Sequence, residues 1–263
     1  MLRAHKPHVH YGRPQLREVI CQLRFPAILS IGSHEPADFQ EAIRQEFPRY
    51  ALRQDRLPPK VTVVNGNTQV ETPPPVANHT FVSEDGKWKL NLTKDFISLS
   101  TLSYDGWESF AQRLDLPLAQ FIRVYSPAFF QRIGLRYVNI FSRKALDLEG
   151  EPWSALFTSP YLGILSQEDV DEERTGKCSV DFDTALDNSC RVKVHAGPGL
   201  LKQANPSAPQ DKEPKFVLDM DLFMPGELPP SLAAGALETL HAHSTDLFQG
   251  AITQKLHEAM DPQ

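Results

Sequence analysis

Four short runs in the second half of the chain alternate charged with apolar residues, and they are where the residue types could do chemistry. Arg132 and Arg136 flank Gly134 at a spacing of two; Asp181 and Asp183 flank Phe182; Arg191, Lys193 and His195 are separated by Val192 and Val194; Asp219 and Asp221 flank Met220. Side chains two apart on a strand share a face, so paired strands would lay acidic and basic rows side by side. Three readings are open. The rows could be solvated cross-strand ion pairs, each contributing about 0.2 to 1 kcal/mol. Arg132, Gly134, Arg136, Arg191 and Lys193 could instead bind an anion or a partner's carboxylate, with the glycine leaving a notch between two guanidinium groups. Asp181, Asp183, Asp219 and Asp221 with His195 could hold magnesium or manganese, and the arginines could then receive phosphate, as in a metal-dependent phosphohydrolase or a nucleotide-binding protein.

Elsewhere the chain offers little to a catalyst. It has no nucleophile elbow, phosphate loop, zinc signature or dinucleotide fingerprint. Cys21, Cys178 and Cys190 are odd in number and lack a Cys-x-x-Cys spacing, which reads as buried free thiols rather than a disulfide framework or a zinc ribbon. His5, His8 and His10 crowd the N-terminus, while His241, His243 and His257 share no helix face that would let them ligate together. No cofactor is implied.

The charged runs need strands to present them, and the pattern supplies those strands. Gln131 to Phe141 places Ile133, Leu135, Tyr137 and Phe141 on one face and Arg132, Gly134 and Arg136 on the other. Further strands are expected at 16–25, 61–64, 80–83, 88–92, 96–103, 179–184, 191–196 and 216–223, with Glu84-Asp85-Gly86 and Thr93-Lys94-Asp95 as hairpin turns. A helix should follow Pro36 on the stripe Phe39, Ile43, Phe47 and stop at Pro48. A second, capped by Asp105, carries Trp107, Phe110 and Leu114 and is kinked or split at Pro117. A closing helix opening at Ser231 buries Leu237, Leu240, Leu247, Phe248, Ala251 and Leu256. Gln167 to Arg174 reads as a solvated acidic loop. The Pro-rich segment 197–215 reads as a long connection, of which 203–214 should be dispensable for folding.

This order, strand, helix, three or four strands, helix, occurs twice. The expected fold is therefore α+β, with residues 14–126 and 127–262 as pseudo-repeated units packed in one body, a mainly antiparallel sheet, helices on one side, and residues 1–13 as a flexible arm. A single helix-grip fold is the alternative, with Trp107, Phe110 and Phe248 lining a cavity for a small ligand.

The run Arg-Ile-Gly-Leu-Arg-Tyr-Val-Asn at 132–139, preceded by Tyr125-Ser126-Pro127 and by the stretch from Ser83 to Leu92, resembles an uncharacterised, sporadically distributed bacterial protein family of about this length. The likeness extends from Leu16 to the closing helix around Leu247 and Phe248. It implies a bacterial origin and transfers no catalytic residue. Sporadic distribution suggests an accessory locus such as a toxin-antitoxin or phage-defence module.

With 263 residues and 41 % hydrophobic content, the chain can bury a sizeable core. It has no apolar stretch of the roughly 20 residues a membrane span requires, so a cytoplasmic protein is expected. A net charge of -6 weighs against duplex nucleic acid, and Lys87, Lys89 and Lys94 read as solubilising charges on a hairpin. The leading expectation is a non-enzymatic interaction protein that engages a protein partner with a basic surface.

Overall fold

The structure is a computed structural model that describes residues 9–56, 58–64, 67–201 and 211–263. His5, His8 and most of the segment 203–214 lie outside the described residues.

In chain order the elements are β1 (Leu16–Arg24), α1 (Leu29–Ser33), α2 (Ala37–Ile43), β2 (Arg49–Asp55), β3 (Lys60–Val64), β4 (Asn67–Glu71), β5 (Val76–Val82), β6 (Trp88–Leu92), β7 (Phe96–Thr101), α3 (Trp107–Tyr125), β8 (Phe130–Phe141), α4 (Trp153–Leu156), β9 (Val180–Ala185), β10 (Arg191–Gly199), β11 (Lys215–Leu228), α5 (Ala233–Ala251) and α6 (Gln254–Ala259), with short 3-10 turns between. Nine strands pair in the order β2-β5-β6-β7-β1-β8-β11-β10-β9, and β3 with β4 forms a separate two-stranded sheet. The fold is α+β, with a largely antiparallel sheet and helices packed against it.

The chain divides into two compact units. One comprises Met1–Ile20, Ile133–Pro225 and Leu232–Gln263; the other comprises Cys21–Arg132 and Gly226–Ser231. In the first, alternate residues of β8, β10 and β11 are buried: Ile133, Leu135 and Tyr137; Val192, Val194 and Ala196; Phe216, Leu218, Met220 and Leu222. The stripe Leu237, Leu240, Leu247 of α5 is buried with them, as the helical period requires. Phe157 stacks on Phe216 with ring centroids 3.8 Å apart, and Trp153 and Phe141 pack around the pair. In the second unit the β1 residues Cys21 and Leu23 are buried, as are Phe81, Leu90 and Leu99 of the following strands. Helix α3 buries Trp107, Phe110, Leu114, Pro117 and Phe121 at helical spacing.

Several local expectations need correction. Val61–Val64 is a strand, but among the described residues it pairs with β4 in a separate sheet; the main sheet is completed by β2, whose sequence Arg-Tyr-Ala-Leu-Arg-Gln-Asp lacks a buried face and gave no alternation to read. Helix α3 begins at a Gly106 cap with no side-chain bond, so Asp105 does not cap it. It runs unbroken through Pro117, whose missing N–H is tolerated within the 19-residue helix. The closing helix ends at Ala251 and restarts as α6, because Thr253 is extended, accepts the Leu256 N–H and donates its hydroxyl to Ala155 O at 2.8 Å.

The acidic loop is not merely solvated. Glu172 pairs with Arg143 at 2.5 Å and accepts the Trp153 N–H at 2.7 Å, while the Arg143 guanidinium lies 4.2 Å from the Trp153 ring centroid. Residues 10–13 of the expected arm are tied down too: Gly12 and Arg13 donate to Asp261 and Met260, and Gln263 donates to His10.

Candidate functional site

The charged face lies in the first unit, on the side of β8, β11, β10 and β9 opposite the buried row. Strand pairing sets its geometry. Lys193 stands directly between Asp221 of β11 and Asp183 of β9, and His195 stands between Asp219 and Asp181. In each antiparallel pair, residues directly opposite are close enough for side chains to meet. The rows therefore form stripes whose charge alternates from strand to strand.

Its tightest contact is between Arg136 and Asp219. Arg136 donates Nε to Asp219 Oδ1 at 2.7 Å and a terminal nitrogen to Oδ2, a two-pronged contact that only a planar guanidinium makes. Bonding to Asp219 raises the Arg136 pKa; burial opposes the shift, and Asp221 and Glu18 reinforce it. On β9, Asp183 accepts from Arg191 at 2.6 Å and lies 4.0 Å from Lys193. Lys193 also sits 5.6 Å from the Phe223 ring centroid. The Nδ1 of His195 is 2.8 Å from Asp181 Oδ1.

The structure thus brings together Arg136 with Asp219, Arg191 and Lys193 with Asp183, and His195 with Asp181. Asp219, Asp183 and Asp181 each meet a cation or imidazole, and the carboxylates are spread over three strands' width. Among the described residues no group of three or more His, Cys, Asp or Glu could hold a metal ion. Gly134 is buried, and Arg132 belongs to the second unit. The side chains named for a small-ligand cavity are packed inside their own units: Trp107 stacks on Phe110, and Phe248 stacks on Phe141 with Tyr11 against its edge.

A second polar cluster escapes the sequence pattern. Ser142 Oγ lies 2.9 Å from both Glu213 oxygens and 3.2 Å from Lys215 Nζ; Lys215 also pairs with Glu213 and with Asp211 at 3.3 Å. A serine beside a lysine suggests an activated nucleophile. The chemistry is otherwise. Burial would lower the Lys215 pKa, but its bonds to Glu213 and Asp211 outweigh that and raise it, which favours the charged amine held in an ion-pair cluster. Ser142 Oγ also accepts the Ala145 N–H, a structural cap. No spacing signal could have found this cluster, because its members come from the end of β8 and from a Pro-rich connection.

No protein-family model matches the chain, and the search of curated proteins finds no match. The functional reading therefore rests on the site's own geometry.

Proposed function

We propose that this chain is a non-enzymatic interaction protein that engages a protein partner with a basic surface through the charged face of β8, β11, β10 and β9. The observation that carries this reading is the exposure of dispersed ion pairs between acidic and basic stripes. Asp181 and Lys193 are 69 % and 60 % exposed, while the carboxylates are held apart on separate strands instead of converging in a cleft. Stripes of alternating charge give register and orientation to a complementary surface more than they give affinity. The outermost row, Asp181 and Asp183, is acidic, and so is the whole chain, which favours a basic partner over duplex nucleic acid.

Within the same proposal, the family resemblance at 132–139 supports a bacterial protein of an accessory locus such as a toxin-antitoxin or phage-defence module, and a cytoplasmic location is read from the absence of a long apolar stretch in the sequence. The scaffold is read as duplicated. Support comes from strand order: in each half the first strand, β1 or β8, is neighboured by the last, β7 or β11, and the remaining strands of the main sheet run outward in reverse sequence, β3 and β4 standing apart. Among the described residues no helix is long and apolar enough to cross a membrane.

Calorimetric titration with a Lys- and Arg-rich peptide tests the reading. Wild type should bind, more weakly as salt is raised, and Asp181→Lys with Asp183→Lys should abolish the binding. Absence of binding by wild type, or equal binding by the variant, would reject the charged face as the contact surface.

A further inference from the structure

Strand β2 ends the nine-stranded sheet, and all seven of its residues, Arg49–Asp55, are exposed. One edge pairs with β5 over its full length. Its other edge faces none of the described strands. An end strand with open backbone groups is a template for a further strand, and proteins commonly guard it with like charges or proline. β2 carries such charges on one face only. On the face it shares with Phe81 and His79 it shows Tyr50, 37 % exposed, and Leu52, 48 % exposed; on the other face it carries Arg49, Arg53 and Asp55. Tyr50 is held in place, its hydroxyl 3.0 Å from His79 Nδ1, while His79 Nε2 lies 2.9 Å from Ile31 O.

We propose that β2 pairs antiparallel with β2 of a second copy of this chain, about a two-fold axis through Leu52. This surface is distinct from the charged face and does not rest on the function proposed above. A two-fold axis normal to the sheet keeps each strand face on its own side, so only residues of like parity can stand opposite one another. In the register where all seven residues overlap, Leu52 meets Leu52, Tyr50 meets Gln54, Ala51 meets Arg53, and Arg49 meets Asp55 at both ends. The neighbouring registers are repulsive. One sets Arg49 against Arg53, and the other sets Arg53 against itself. Asp55 accepts from Asn78 through Oδ2 at 2.6 Å, which leaves Oδ1 to receive the guanidinium. Charge and apolar contact therefore select the same register.

Two measurements test the pairing. In sedimentation velocity the wild-type chain should show a concentration-dependent dimer. Arg49→Asp should raise its dissociation constant about tenfold or more, and Arg49→Asp combined with Asp55→Arg should restore it to within about threefold. Cysteine trapping in a Cys178→Ser background reads the register directly. Leu52→Cys should cross-link to itself on oxidation, Arg49→Cys alone should not, and Arg49→Cys with Asp55→Cys should. These positions are exposed, so the trapping comparison decides even if the charge swap unfolds. A wild type that stays monomeric at its highest concentration, or equal cross-linking of Leu52→Cys and Arg49→Cys, overturns the proposal.

Discussion

Glu213 and Lys215 hold the end of a Pro-rich connection against β8, and their titration can be read in the stability of the fold. Burial alone would raise the Glu213 pKa, but bonds from Lys215, the Lys144 N–H and Ser142 bring it below 4.5. Lys215 is raised above 10.5. A depressed carboxylate stabilises the fold above its unfolded pKa and loses that contribution as pH falls through the folded value. A raised amine stabilises below its unfolded pKa and loses the contribution as pH rises through the folded value. The tie is complete between those limits. Glu213→Gln should therefore lower the urea midpoint at neutral pH, with the gap to wild type closing as pH falls below 4.5. A gap independent of pH would mean the cluster contributes only packing. Arg136 and Asp219 show how far single residues were legible. Their alternation with apolar neighbours marked the face from sequence, but their pairing depends on β11 lying beside β8, which no local pattern encodes.

Among the elements, the strands with one buried face were readable because period-two alternation is the direct imprint of a core on a sheet. β2 left no such imprint, since neither of its faces is buried. The break at Ile252 and Thr253 was hidden for another reason: the apolar stripe runs on from Leu247 to Leu256, and the break comes from partners distant in sequence, Ala155 and Leu156. Strand β10 carries a different constraint. Gly197 has φ of 154°, and a Cβ there would lie 2.5 Å from the Cys178 carbonyl oxygen. Alanine would combine backbone strain with a clash against main chain, so Gly197→Ala should cost about 2 to 4 kcal/mol by urea unfolding. Gly199→Ala, where nothing lies within 4 Å, should cost under about 1 kcal/mol. Equal losses at the two sites would show that the approach of Cys178 imposes no constraint.

For the molecule as a whole, the class and the hairpins were legible, whereas the boundary between compact units was not. Sequence order placed the division near Pro127, but Phe130, fully buried, has its ring 6.4 Å from Phe121, which in turn contacts Phe25 at 4.7 Å. Phe130→Ala should destabilise the protein by about 3 to 5 kcal/mol and speed amide exchange first in α3. Faster exchange first in β10 and α5 would assign Phe130 to the other unit. Strand order also bears on how the chain is made. β1 finds a neighbour in β7, synthesised about seventy residues later, and β8 finds one in β11, made about as long after it. At about 5 to 20 residues per second, β1 leaves the ribosome several seconds before that partner exists. Nascent chains therefore carry an apolar strand with neither edge paired until β7 is made, and one edge open until β8 follows, so the yield of folded protein should depend on elongation speed and on chaperones that shield Val19, Cys21 and Leu23 in the interval.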